Sequence, residues 1–333
     1  MGKMNEAKQW FSACGILSMA LLLASCSKEA IPSFSIGTGG PHGTYSIVGA
    51  AIMRFVNRNE VNNGFRLEFE TTSGSVENIN AISSGDAQFG IAQSDHQYQA
   101  VNGLGAWEGS GPRQDLRSIF SMYTEAVALV VGADSDIRSI DDLKGKNVDI
   151  GASGSGTHQN AIDALSAAGI DWKSDIKVHE ESPDDRLAKF IRGELDAFFF
   201  TAGHPNSEIK YATMSVRGAR IIPLKNVEGL VSTHPFMLRA SIPSGLYPMA
   251  NSQFDIETVG VNATLVTSAN VPDEVVYAIT KAIFDNLESL ATEYSGFEFS
   301  ALVEDKYLDG LAAPIHPGAL KYYRETGLIA LER

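Results

Sequence analysis

The residues best suited to do chemistry here are glycines and small hydroxyl residues gathered in three loops. They are Ile36-Gly-Thr-Gly-Gly-Pro-His-Gly-Thr-Tyr45, Leu67-Glu-Phe-Glu-Thr-Thr-Ser-Gly-Ser75 and Val148-Asp-Ile-Gly-Ala-Ser-Gly-Ser-Gly-Thr157. Each follows a short strand-like run and leads into a helix-like pattern. After the first loop the pattern is Ile47, Val48, Ala51, Ile52, Phe55 and Val56, with Thr44 and Ser46 as candidate N-caps. The first turn of a helix carries unpaired N–H groups and the positive end of the helix dipole, so such a loop can hold an anion. The candidate contacts are Thr38, Gly39, Gly40 and Tyr45 in the first loop, Ser73 and Ser75 in the second, and Gly154, Ser155, Gly156 and Thr157 in the third. Turn geometry alone would also explain the glycines, and capping alone would explain Ser73 or Ser75. Tyr45 either closes over a ligand or packs at the helix start.

Other side chains belong near the same place. Gln93, Ser94 and Asp95 follow a predicted strand, at the carboxyl-end rim where α/β sheets bind ligands. Asp95 either holds an ammonium group or caps the next helix. Glu125 sits in an apolar stretch, where a carboxylate needs a partner, and a ligand ammonium and a structural arginine both qualify. His204 follows the strand-like Ala197–Phe200, and Arg66 and Arg186 fall near cleft-forming segments. Enzyme signatures are missing. A G-x-G-x-x-G fingerprint from Gly37 would need glycine where His42 stands, and no Walker loop or Gly-x-Ser-x-Gly elbow occurs. His179-Glu-Glu-Ser-Pro183 lacks the second histidine of a zinc-protease motif, so neither a metal nor another cofactor is expected. The reading is a binding protein, not an enzyme.

The elements that must position these residues alternate along the chain. Strand and helix patterns take turns from Phe34 onward, which predicts an α/β protein with a largely parallel sheet. Arg117–Tyr123 and Ala126–Val131 read as consecutive strands around Thr124-Glu125, and Thr258–Thr267 as a buried strand. Ala81–Gly90 and Lys189–Phe200 share one grammar, a helix end, a glycine, an acid and a strand, which suggests pseudo-repetition of two lobes. Asn102–Pro112 reads as a surface loop. A long helix is expected from Pro272, with Val276, Ile279, Ile283, Leu287 and Leu290 on one face.

With 333 residues, 44% hydrophobic and 20% charged, the chain can bury a sizeable core. A net charge of −14 argues against a nucleic-acid surface. Lys3 and Lys8 precede an apolar run, Ile16–Ala24, too short to span a bilayer comfortably. The run ends Leu23-Ala-Ser-Cys26, which resembles a bacterial lipobox and implies cleavage before a lipidated Cys26. The other cysteine, Cys14, would leave with the signal peptide, so no disulfide is expected.

Seven stretches, taken together, resemble the TAXI family of solute receptors for TRAP transporters. They are Ile36–Tyr45, Thr72-Ser-Gly-Ser-Val-Glu-Asn78, Ala92-Gln-Ser-Asp95, Asp142-Leu-Lys-Gly-Lys146, Gly154-Ser-Gly-Thr157, Ile242–Pro248 and His316-Pro-Gly-Ala319 through Tyr323. The resemblance implies a two-lobed, type II periplasmic-binding-protein fold that closes over its ligand. It implies a first lobe from 27–125 plus 258–333, a second from 126–257, and a signal peptide over 1–26. It also implies a monomeric, periplasmic, lipid-anchored receptor for a small carboxylate, glutamate or a related amino acid or dicarboxylate, served to TRAP membrane subunits. A sensory lipoprotein that signals to a membrane kinase through the same fold is the alternative.

Overall fold

The computed structural model describes residues 31–40, 43–250, 252–294 and 299–329; the expected signal peptide and Cys26 lie outside the described residues. Ten strands make one sheet: β1 (Ser33–Gly37), β2 (Arg66–Glu70), β3 (Phe89–Gln93), β4 (Leu116–Gly132), β5 (Asn147–Asp149), β6 (Lys177–His179), β7 (Ala197–Ala202), β8 (Ala219–Ile222), β9 (Leu238–Ile242) and β10 (Ile256–Ser268). Their order is 2-1-3-10-4-7-5-6, with β8 also on β4 and β9 also on β10. β1 runs parallel to β2 and β3, and β5 runs parallel to β6 and β7. The two long strands are antiparallel to their neighbours. The path 2-1-3-10 is therefore mirrored by 6-5-7-4. The shared grammar of Ala81–Gly90 and Lys189–Phe200 marks equivalent positions, for it leads into β3 and β7, the third strand of each half.

The principal helices are α1 (Thr44–Asn57), α2 (Ser75–Ser84), α3 (Ser94–Asn102), α4 (Gly156–Ala167), α5 (Pro183–Ile191), α6 (Ser207–Met214), α7 (Val227–Thr233), α8 (Asp273–Phe284), α9 (Leu287–Glu293) and α10 (Pro317–Glu325). They cover both faces of the sheet, so central strands are apolar on both sides. In β4, Val127, Leu129 and Val131 join one core cluster, with Val148 and Leu165. Ala126, Ala128 and Val130 join another, with Phe190 and Ile209. A third cluster packs Ile52 and Phe55 of α1 with Ile279 and Ile283 of α8 around Ile36 and Phe120.

β4 is one strand of 17 residues, not the two that the polar Thr124-Glu125 pair suggested. The pair stays in the ladder opposite Asn262 and Val261 of β10, and Thr124 donates to the Asn262 side chain at 3.0 Å. At this crossover a Cβ on Gly260 would lie 2.9 Å from the Glu125 carbonyl oxygen, so the strands can approach only with glycine there. The expected long helix is two, α8 and α9. Asn286 turns its side-chain amide back onto the Ala282 carbonyl at 2.9 Å, the acceptor a continued helix would use for its own N–H; beside it the Tyr322 hydroxyl donates to Asp285 at 2.7 Å. The expected surface loop after α3 sinks Trp107, only 1% exposed, with its indole N–H on Asn80 at 2.9 Å.

Candidate ligand-binding site

The three predicted loops do converge. They leave the carboxyl ends of β1, β2 and β5 and border a cavity of about 890 Å³. Gly39, Gly40 and Tyr45 line it from the first loop, Ser73 and Ser75 from the second, and Ser155, Gly156 and Thr157 from the third; Gln93 and Glu125 complete the predicted part of the wall.

The first loop is built for display. Thr38 is fully buried and its hydroxyl donates to the Glu70 carbonyl at 2.7 Å, tying β1 to the end of β2. Ser46, expected as a cap, instead donates to the carbonyls of Gly39 and Gly40 at 3.1 and 2.8 Å. Thr44 is the first helical residue, and the N-cap is Gly43, which has no side chain to cap the helix. Gly74 likewise precedes α2 uncapped, because Ser73 is drawn to Glu77 and Ser75 accepts from the Gln93 N–H at 3.1 Å. Two helices therefore open on the cavity without a side-chain cap, the condition under which first-turn amides are available to an anion. Asn78, 0% exposed, holds this side together: its amide donates to the Thr38 and Ile91 carbonyls at 2.7 and 2.8 Å and its oxygen accepts from Thr72. The third loop differs. Ser155 is a true N-cap, accepting from the His158 N–H at 3.2 Å, and Thr157 accepts from the Thr201 N–H at 3.1 Å.

Glu125 is the charged centre of the wall. The Tyr45 hydroxyl donates to Glu125 Oε2 at 3.0 Å, and the Gln93 side chain bonds it as well. Burial pushes the carboxyl up to about 7, against the pull of those two hydrogen bonds. Burial and the neighbouring carboxyl hold the Tyr45 phenol well above its usual range, so Tyr45 is a donor. Neither arginine reaches Glu125. Arg66 starts β2, at the end of the strand away from the cavity, beside Glu68. Arg186, 2% exposed, gives Nε and Nη2 to Glu208 at 2.7 and 2.8 Å, faces Asp149 at 3.6 Å and lies over Phe200. Gln93 Oε1 and Thr201 Oγ1 are buried with no hydrogen-bond partner among the described residues.

Five predicted contacts do not line the cavity. Thr38 is one. Ser94 lies beneath, donating to the Phe236 carbonyl and accepting from the Asn262 N–H. Asp95 is fully buried on His96 and on the Asn160 amide, 2.8 Å away in α4, and it is not the cap of α3. Gly154 turns the third loop at φ +80° and is exposed. His204 braces β4, with Nε2 donating to the Ala126 carbonyl at 3.3 Å and Nδ1 2.7 Å from the Tyr247 hydroxyl; burial lowers it to about 4.

Sequence reasoning missed the far wall. Leu187 of α5, Phe200 and Thr201 of β7, and Ser207, Glu208 and Tyr211 of α6 all line the cavity. The signal was present: Asn206 before Ser-Glu-Ile is a helix start, and its side chain caps α6 by accepting from Glu208 and Ile209.

Residues 36–327 match the NMT1-like family. The chain belongs to that family. Among solved structures it is similar to the periplasmic aliphatic sulphonate binding protein SsuA from Escherichia coli, at 15% identity over 87% of this chain and 82% of that one, with a TM-score of 0.51. A structure described as a periplasmic transporter matches at 13% identity over 90% and 94%, TM-score 0.52. A putative L-cystine ABC transporter protein from Listeria monocytogenes matches at 12% over 81% and 98%, TM-score 0.50. These likenesses carry the fold: this NMT1-like chain has the α/β, two-lobed type II periplasmic-binding-protein architecture expected for it. Among the described residues no helix is long and apolar enough to cross a membrane.

Proposed function

We propose that the protein is an extracytoplasmic solute receptor that captures a small carboxylate carrying an ammonium group and hands it to a membrane permease. The observation that carries this reading is one cavity in which two uncapped helix N-termini face a buried carboxyl with no ion-pair partner among the described residues. An α-amino acid has the complementary charges. Its carboxylate accepts from the first-turn amides around Thr44 and Ser75, and its ammonium donates to Glu125. Gly39, Gly40, Ser73, Ser155, Gly156 and Thr157 complete the contacts. Residues 27–125 plus 258–333 and 126–257 serve as the closing lobes, and ligand stabilises the closed state. No catalytic step is needed for this work.

The solved neighbours named as sulphonate and cystine transporter proteins support the class of function. The resemblance to TAXI receptors favours a TRAP permease, glutamate or a relative as the solute, a lipid anchor at Cys26 and a periplasmic site. The test is isothermal titration of the exported protein, stripped of carried-over ligand, with glutamate, glutamine, 2-oxoglutarate, succinate and malate. Sub-millimolar binding of an amino acid but not of 2-oxoglutarate supports the reading; binding of the plain dicarboxylates alone removes the ammonium role of Glu125. Uptake into vesicles driven by an ion gradient without ATP would support the TRAP partner, and a strict ATP requirement would sink it.

A further inference from the structure

The charge and shape of the cavity wall go further than the class of ligand. This step rests on the amino-acid reading above. We infer that the preferred ligand is an amino acid with an uncharged, apolar side chain, seated against Ile47, Leu187, Phe200 and Tyr211.

The acidic side chains on the wall are Glu125 and Glu208; no lysine, arginine or histidine lines the cavity among the described residues. Arg186 lies behind Glu208 with its fork closed on that carboxylate and its remaining nitrogen turned to Asp149. The uncapped starts of α1 and α2 can offset one ligand carboxylate. A second carboxylate, as on glutamate, would enter a wall that already carries two acidic side chains and meet no unpaired cation among the described residues.

Gln93 is 5% exposed, and its Oε1 accepts nothing among the described residues although its amide serves Glu125. An ammonium has three donors and no acceptor. Glu125 and Gln93 are hydrogen-bonded neighbours on the wall, with Gln93 Oε1 turned to Gly156; an occupant whose ammonium takes both side chains removes the orphaned oxygen. This buried, unpartnered oxygen points to a ligand independently of the helix ends.

Ile47 projects from α1 at 46% exposed and Tyr211 from α6 at 62% exposed, both on the cavity wall. Leu187 and Phe200 back them, and the Arg186 guanidinium covers a face of Phe200 at 4.3 Å. A cavity of about 890 Å³ has room for a side chain beyond the carboxylate and ammonium subsites. Large apolar groups left in water beside a polar floor are what an apolar substituent would cover.

The experiment is titration of the exported protein, stripped by unfolding and refolding, with L-leucine, L-phenylalanine, L-glutamate and 4-methyl-2-oxopentanoate. The expected result is binding of leucine or phenylalanine at least tenfold tighter than glutamate, and no comparable binding of the oxo acid. A smaller preference, or tighter binding of glutamate, overturns the side-chain inference and leaves the amino-acid reading standing. Binding of the oxo acid as tight as leucine, or of no amino acid at all, overturns both. The double substitution Ile47→Ser, Tyr211→Ser changes two exposed residues and should drop the leucine-to-glutamate affinity ratio at least fivefold; an unchanged ratio also overturns the inference.

Discussion

At the scale of single residues, Glu125 carries an unusual load, a buried carboxyl on Tyr45 and Gln93 with no ion-pair partner among the described residues. Its pKa is raised, from an ordinary 4.5 to about 7. Between those values the unfolded chain has released the proton and the folded chain keeps it. Stability from this group is therefore full below about pH 4.5 and falls as pH rises towards 7, after which the penalty is constant. Glu125→Gln should remove that penalty, at most about 3 kcal/mol by linkage, so the unliganded variant should be more stable than the parent in urea at pH 8 and similar at pH 4.5. The same variant should bind an amino acid at least tenfold more weakly. Equal stability at both pH values would show that Glu125 already has a counter-charge. Gly156 makes a second residue-scale case. A Cβ there would overlap Gln93 Oε1, so Gly156→Ala should push the amide away from Glu125 and weaken binding about tenfold. Because the displaced atom is the end of a flexible side chain, the melting temperature should hardly change; a collapse of the fold would assign Gly156 to packing instead.

At the scale of elements, the far wall is held by an ion triad. Arg186 of α5 joins Glu208 at the start of α6 and Asp149 at the end of β5, with only 2% of the arginine exposed. Removing one member of a buried set leaves unpaired charge, so Arg186→Ala should cost roughly 3–5 kcal/mol in denaturant unfolding. Arg186→Met with Glu208→Gln and Asp149→Asn should recover much of that, because the triple variant strands no charge. A loss below about 1 kcal/mol for the single variant would mean that water reaches the triad. His204 ties β4 to Tyr247 and is lowered from 6.5 to about 4 by burial. Its contribution is complete above pH 6.5 and fades as pH falls towards 4, where the imidazole must charge in a buried site. His204→Gln should flatten that part of the pH–stability curve, and an unaltered curve would show the ring already solvated.

At the scale of the whole molecule, the two long strands set the behaviour. β4 and β10 pair antiparallel through the middle of the sheet, with Gly260 against the Glu125 carbonyl oxygen, so the central carboxyl sits where the mirrored strand orders meet. Ligand that binds only the folded protein should raise stability by about 2.7 kcal/mol at a hundred times its Kd. Small-angle scattering should show a smaller radius of gyration in the same samples; an unchanged radius with a raised melting temperature would mean capture without closure.

Much of this was legible along the chain because it is local. Strand, glycine loop and helix are neighbours in sequence, so three of the loops that meet at the cavity could be read from residue type and period, as could the paired grammar before β3 and β7. The apolar run of β4 is of the same kind. What sequence could not rank is which polar residue faces the cavity and which goes beneath it. Ser94, Asp95 and Thr38 lie as near the strand ends as Gln93 and Gly39, yet their partners are Phe236, Asn160 and Glu70, and only folding brings those within reach. The same holds for Arg186, whose neutralisation depends on two carboxylates 37 residues before and 22 after it. Local pattern determined the elements and the loops between them. Long-range pairing alone decided that Glu125 would be buried with no ion-pair partner among the described residues, which is the property that makes the cavity a site.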